Sequence, residues 1–412
     1  MANPSFQRLW LAQGISVFGD YLAMFAVQAA IVFRMHGPAG AVSVMLMASL
    51  LPGVAMGPVA GVFADRWNPR RTMVASDCLR AVLVTLLPVS HRLSDICAIC
   101  LAISCVSAFF VPAQAVVIPQ LVGREQLLAA SALMQQTLQA ARIASPAVAA
   151  ILVAHFGENA CYAADAASFV FSAAMLARIR CDVARKKCEK ARSNVFGEFR
   201  EGVRFVFAIP ALSCAILSMA GGTFAAGCYS ALAAIYVRDV LHAGTAVYGA
   251  MGSLTAIGTL VGAAAMNHKA VARIAQNGER EILIATGMGV VGACILLLAA
   301  FPTALVAIIA TLGIGLGAAV ALVAASTMIR EQTPAELRGR VSSVSLSLMS
   351  AAQAAAILVA GSCAGSVAGR AALGVRGVYA FSGAMLLAQP AYRYFRRGTI
   401  RSAPAACFQT RR

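Results

Sequence analysis

A few ionisable side chains stand where apolar sequence leaves them little company. Asp20 follows eleven residues after Leu9 in LWLAQGISVFGD, about 16 Å along a helix. Arg142 lies fifteen residues past Leu127, about 22 Å along its own helix. Asp77 and Arg80 are three apart, which puts them on one helix face. Asp165 interrupts ACYAADAASFV. Charges at such depth must pair or meet water, so their chemistry is ion pairing and reversible protonation. Asp20 and Arg142 reach the same central layer and are expected to interact, directly or through water. Protonating Asp20 would weaken that attraction and so couple a proton to helix movement. A structural carboxylate held by hydrogen bonds is the competing reading of Asp20. Asp165 lies closer to the outer face, where a pore-lining or gate role competes with a solvated helix end, the favoured reading.

A second constellation is GPVAGVFADRWNPRR, Gly57 to Arg71. Gly57 and Gly61, four apart, bare one helix face for close backbone approach. Asp65, Arg66, Arg70 and Arg71 follow where that helix leaves the lipid. Asp77 and Arg80, near the cytoplasmic end of the third span, are expected to extend this network, with a purely local ion pair as the competing reading. Far along the chain, EQTPAELRGRVSSV runs from Glu331 to Val344. Thr333 there suits a cap, with Pro334 at the first helical position and Glu336 at the third. Arg338 and Arg340 mark the head of the eleventh apolar helix, whose free N–H groups favour an acid. Asp65 is the expected acceptor.

These side chains need long helices to hold them. The chain has 412 residues, 60% hydrophobic and 12% charged, about half the charged share of soluble domains. Apolar runs recur throughout, and the alternation of a barrel is missing. The fold class is therefore an all-α polytopic membrane protein. Twelve spans are expected: Leu9–Phe33, Ala41–Ala64, Thr72–Ser90, Ile96–Ile118, Leu127–Val153, Ala160–Ile179, Ala211–Val237, Ala246–Ala265, Ile282–Ala300, Ala304–Met328, Val341–Val367 and Gly374–Tyr392. Pro112 and Pro119 should bend or end the fourth. The glycine-rich second half reads as close packing. Tyr229 and Gln353 are possible polar contacts in a cavity. No cleavable signal is expected at the N-terminus, because Asp20 interrupts a first apolar run that is already too long.

The net charge of +17 does not indicate nucleic acid, because the arginines lie between apolar runs. Twelve cysteines are scattered, with one C-x-x-C at Cys97 and Cys100, and read as small helix filler. There is no nucleophile–base set, metal cluster or phosphate loop. No enzyme activity, cofactor or metal is expected, and an ATP-driven pump is excluded within this chain.

The segment from Gly57 to Arg71 resembles the G-x-x-x-D-R-x-x-R-R loop of the major facilitator superfamily. The stretch NPSFQRLWLAQGISVFGD and the segment EQTPAELRGRVSSV resemble its drug- and siderophore-exporting group, the transmembrane secretion effector family. The resemblance implies two six-helix bundles around a central cavity, alternating access and a charge network between Asp65 and the start of helix 11. It also implies export of amphipathic small molecules by proton antiport. Relatives usually carry Gly-Pro where this chain has Ser145-Pro146, which weakens the antiport inference. The rival readings are an uptake permease or lysophospholipid translocator of the same fold, and a non-transporting membrane scaffold or sensor.

The expected organisation is a bundle at 1–180, an amphipathic cytoplasmic linker at 181–205, a second bundle at 206–395 and a basic tail at 396–412. VGREQLLAASA from Val122 and TPAELRGRVSS from Thr333 form a faint repeat 211 residues apart (333 − 122). The expected partners are a small-molecule substrate, protons and the lipid bilayer. A monomer in the bacterial inner membrane is expected. Basic residues concentrate on one side of the spans, giving cytoplasmic N- and C-termini. A green fluorescent protein fused at the C-terminus should therefore fluoresce, and alkaline phosphatase fused after Arg92 should be active. The opposite pattern would invert the topology.

Overall fold

Inside a bilayer each backbone amide must find its partner within its own segment, so the chain must be helical there. The computed structural model describes residues 3–64, 67–123, 126–179, 195–266, 280–334, 337–366 and 371–400. Among the described residues there are thirteen α-helices and no strand. Asp65, Arg66 and Glu336 lie outside the described residues.

Helix α1 is Pro4–Ala29, capped by the Asn3 side chain and continued by a π-helical turn, Ala30–Arg34. Then come α2, Ala39–Ala64; α3, Pro69–Val84; α4, Leu93–Leu121; α5, Leu127–Phe156; and α6, Glu158–Ala177. A shorter amphipathic helix, α7, is Val195–Ala208. The rest are α8, Pro210–Asp239; α9, Thr245–Ala265; α10, Arg280–Ala300; α11, Ala304–Gln332; α12, Arg338–Ser366; and α13, Ala371–Ile400. Ten helices are long and apolar enough to cross a membrane. The described apolar stretches of α2 and α13 are shorter, Ala39–Gly53 and Gly374–Ala388. Pro112 and Pro119 do not end α4, which runs through both; neighbouring helices tolerate the missing donors.

Helix packing sorts into two sets. In the first, α1 packs on α5 and α6, α3 on α4 and α6, and α2 on α4. In the second, α9 packs on α11, α10 on α11 and α13, and α8 on α12 and α13. The sets meet through α5 with α9 and α2 with α12. Large apolar side chains such as Val111, Leu305 and Leu346 point outward, each about two-thirds exposed (65%, 68% and 67%). Burial therefore cannot be what holds helix to helix here, and close packing must.

The α9–α11 contact has that character. A Cβ at Gly258 would run into the Leu312 carbonyl, and one at Gly315 into the Thr255 carbonyl. The two helices thus approach backbone to backbone at reciprocal glycines.

The two sets also share one backbone detail. His36 and His242 both take φ 50°, 206 positions apart (242 − 36). Each follows the same helix ending. Met35 N–H donates to Ala30 O and Gly37 N–H to Ile31 O; Leu241 N–H donates to Tyr236 O and Ala243 N–H to Val237 O. The spacing is five less than that of the loop pair at 122 and 333.

Gly315→Val should lower stability by about 1–3 kcal/mol through overpacking. Gly289 has open space where a Cβ would go, so Gly289→Ala should melt like the parent in a detergent thermal-shift assay.

Candidate functional site

Three helices of the first set bring their charges to one point. Helix α1 supplies Asp20, α3 supplies Asp77 and Arg80, and α6 supplies Asp165, Ser168 and Ser172. The Arg80 side chain is only 5% exposed. Its guanidinium carbon lies over the rings of Phe110 and Phe169, 4.8 and 4.4 Å from their centroids. It is paired with Asp77, and Nη1 is 3.8 Å from Asp20 Oδ2. The Ser172 hydroxyl donates to the other Asp77 oxygen at 2.5 Å. Arg80 Nε is buried without a hydrogen-bond partner.

Cation–π contact with two rings and pairing with carboxylates offset the cost of burying the guanidinium. Asp20 differs from the other acids. Its side chain is 39% exposed, and 3.8 Å is beyond hydrogen-bond length. It is the accessible, loosely held member of an otherwise sealed group.

Asp165 is 1% exposed, not at a solvated helix end as expected. The Ser168 hydroxyl donates to the Asp165 carbonyl at 2.8 Å and lies 3.4 Å from its carboxylate. Gly19 makes room for this pair: a Cβ there would stand 2.6 Å from Asp165 Oδ1. Packing of α1 on α6 thus draws Asp165 inward, beside Asp20.

Of the expected Asp20–Arg142 interaction, direct or through water, no direct ion pair is formed among the described residues. Arg142 is exposed, its guanidinium 5.9 Å from the Tyr21 ring centroid. Successive helix residues point about 100° apart, so the group beside Tyr21 is not beside Asp20, and Arg80 takes that place. Asp77 and Arg80 accordingly join the core cluster.

Arg70, expected at a gate, bonds a helix end among the described residues, while Asp65 and Arg66 of that expected network lie outside them. Its Nε donates to Leu176 O at 3.3 Å and its Nη2 bonds Ala177 O. Arg8 does the same for Arg178 O at 2.9 Å. Cations suit helix C-termini, where carbonyls lack partners. Arg71 is exposed and lines a pocket of about 680 Å³ between α3 and α4, with Trp67, Thr72 and Phe109. That pocket lies on a face of α3 other than the one bearing Asp77 and Arg80.

The Thr333 hydroxyl donates back to Ile329 O at 2.6 Å; the N–H groups it was expected to cap, at 335 and 336, lie outside the described residues. Arg338 Nε donates to Thr333 O at 3.3 Å. Arg340 pairs with Glu201 of α7 at 2.6 Å, and Val341 and Val344 pack on Val206. The head of α12 is therefore bound to α7. Its expected contact with Asp65 lies outside the described residues, and Gly57 and Gly61 are described only as part of α2.

One group of contacts has no counterpart in the sequence reading. Arg238, at the end of α8, donates to Val32 O at 2.8 Å and Gly37 O at 2.9 Å. Asp239 braces the same guanidinium. Tyr248 of α9 donates to Gln28 at 2.9 Å and stacks on Phe25, centroids 4.6 Å apart. Gly361 abuts Ser43, and Gly249 abuts Ala150. Arg238 and Tyr248 hydrogen-bond from the second set to the first at the end carrying His36 and His242. The sequence signal was an Arg-Asp pair closing an apolar run, which reads equally well as a topology charge.

Removing Arg80 alone strands buried Asp77. Arg80→Leu should cost about 3–5 kcal/mol, read as a lower unfolding temperature in detergent. Arg80→Leu combined with Asp77→Leu should recover part of it; no recovery would refute the pairing.

Comparison with known proteins gives the arrangement its context. The transmembrane secretion effector family profile matches residues 1–403. YfiS, an MFS-type transporter of Bacillus subtilis, is 25% identical over 258 residues, 62% of each chain. Macrolide efflux protein A of Streptococcus pyogenes is 29% identical over 206 residues, 48% of this chain and 50% of that one. The matched part thus spans about half to three-fifths of these relatives' length. Among solved structures, a bacterial homologue of the human lysosomal transporter Spinster, inward-facing and unoccupied, has TM-score 0.75 at 12% identity. It covers 98% of this chain and 100% of its own. A bacterial homologue of the iron transporter ferroportin, also inward-facing, has TM-score 0.69 at 14% identity, covering 94% and 99%. These neighbours show the fold; the family profile shows the lineage. The chain belongs to the transmembrane secretion effector family of the major facilitator superfamily.

Proposed function

We propose that the protein exports amphipathic small molecules from the bacterial cytoplasm by proton antiport and alternating access. The reading takes twelve spans with both termini inside, divided as 1–180, 181–205, 206–395 and 396–412. One observation carries it: Asp20 is a half-open carboxylate on a sealed ion cluster that joins α1, α3 and α6. Efflux relatives support the direction of movement. Drug- or siderophore-like molecules are the substrates the family resemblance suggests.

In this reading the proton and the helix movement share one bond. A proton on Asp20 removes its charge and releases it from Arg80, which stays held by Asp77 and two rings. Helix α1 is then free to shift relative to α3. The contacts of Arg238 and Tyr248 with the first set form the outer closure. The conformation is then open to the cytoplasm, and Asp20 and Arg142 front the cavity. Asp65, Arg66, Glu336 and the head of α12 make the inner closure in the opposite state, with Gly57 and Gly61 allowing close approach.

The test uses sealed vesicles with an imposed proton gradient and a deletion strain screened against antibiotics, dyes and chelators. Asp20→Asn should insert and melt like the parent, lose gradient-driven efflux by at least about tenfold, and fail to rescue the strain. Asp20→Glu should keep part of the activity. Undiminished gradient-driven transport by Asp20→Asn rejects the coupling role.

A further inference from the structure

With Asp20 held by Arg80, Arg142 is left over. Among the described residues no carboxylate or hydrogen-bond acceptor partners its guanidinium, and the Tyr21 ring at 5.9 Å is its one described contact of this kind. An arginine this far into an apolar run needs a partner or water.

Its position on α5 says which way it looks. Gln135, Gln139, Arg142, Pro146 and Ala150 follow at intervals of four, three, four and four, which is one helix face. At the closed end that face meets the other set. Pro146 O lies 3.2 Å from where a Gly249 Cβ would be, and a Gly252 Cβ would stand 2.9 Å from Pro146 Cβ. The adjacent Ser145 bonds Phe18 O of α1. Arg142 therefore sits between the directions of α1 and α9, one turn below the contact with α9. From there the face fronts the gap between the two sets. Arg142 and Gln135 are exposed on it, and Gln139 is half-buried.

The stripe is rich in donors. A guanidinium offers a planar fork that matches a carboxylate, phosphate or sulfonate. Two glutamine amides on the same face add N–H donors. The acids of this layer do not compete for it: Asp77 and Asp165 are sealed at 0% and 1% exposure, and Asp20 turns to Arg80.

We propose that Arg142, flanked by Gln135 and Gln139, binds the anionic group of the transported molecule, so that the substrates are anionic amphiphiles. This rests on the export reading and sharpens it. The apolar part of the molecule lies along the small and aliphatic side chains of the facing helices. The anion is chosen by Arg142, a cation without an acid partner among the described residues.

Three dansyl probes on the same eight-carbon chain, ending in sulfonate, hydroxyl or trimethylammonium, test this. The full chain is used, in nanodiscs for equilibrium binding and in proteoliposomes for movement. The sulfonate probe should bind at least about tenfold more tightly than the other two. Arg142→Gln should erase that preference, Arg142→Lys should keep part of it, and Arg142→Glu should turn it toward trimethylammonium. Equal binding of all three probes by the parent protein, a parent preference for trimethylammonium, or a preference that survives Arg142→Gln overturns the proposal. If Arg142→Gln fails to fold, the parent's own selectivity and its weakening in Gln135→Ala with Gln139→Ala decide. Movement of the probes without charge preference would leave export standing and remove the anion site. Arg142-dependent sulfonate binding without movement would keep the site and count against export.

Discussion

The structure depends on how one guanidinium is kept inside an apolar bundle. Desolvating Arg80 is expensive, and contact with two rings and pairing with two carboxylates offset most of that cost. The same arrangement ties α1, α3 and α6 together, because each supplies one wall of the cluster. Phe110 of α4 extends the tie to a fourth helix. A change in the charge of any member therefore alters the fit of several helices at once. In the proposed mechanism this is how protonation would act on helix movement, without a contact between Asp20 and Arg142.

The second set is built by a different rule. It has no comparable buried charge among its described residues and holds together by glycine-mediated approach, as between α9 and α11. Such interfaces are short-range and stiff. A set bound this way moves as a unit, whereas a set bound through a titratable cluster can change internally. The two sets are alike in backbone, down to the histidines at φ 50°, yet hold their helices by different forces.

Much of this was legible in the sequence and some was not. Helix positions followed from apolar run length, and the ends agree to within a few residues for most elements, as at Ala304 and Ala64. Depth along the chain marked Asp20 and Arg142 as unusual, and did not mark Arg80, which was placed near a helix end. Partnership was not legible. Which of two arginines meets Asp20 depends on rotation about α1, and one residue of rotation moves a side chain by about 100°. Asp165 was misjudged for a related reason, since Gly19 opens a place for it that spacing does not reveal. Arg70 looked like part of a charge network because its acceptors are carbonyls, which carry no letter in a sequence. Phe110 and Phe169 were invisible among other apolar residues.

The closed end carries the same lesson in a different form. Arg238 bonds to peptide oxygens at positions 32 and 37 and to no side chain of the first set. Those acceptors persist whatever residue replaces Val32. The receiving surface can therefore drift freely between lineages without losing its grip, while the donor at 238 has no such freedom. A survey of paired substitutions would find no covariation between position 238 and positions 32 or 37, although the contact is specific.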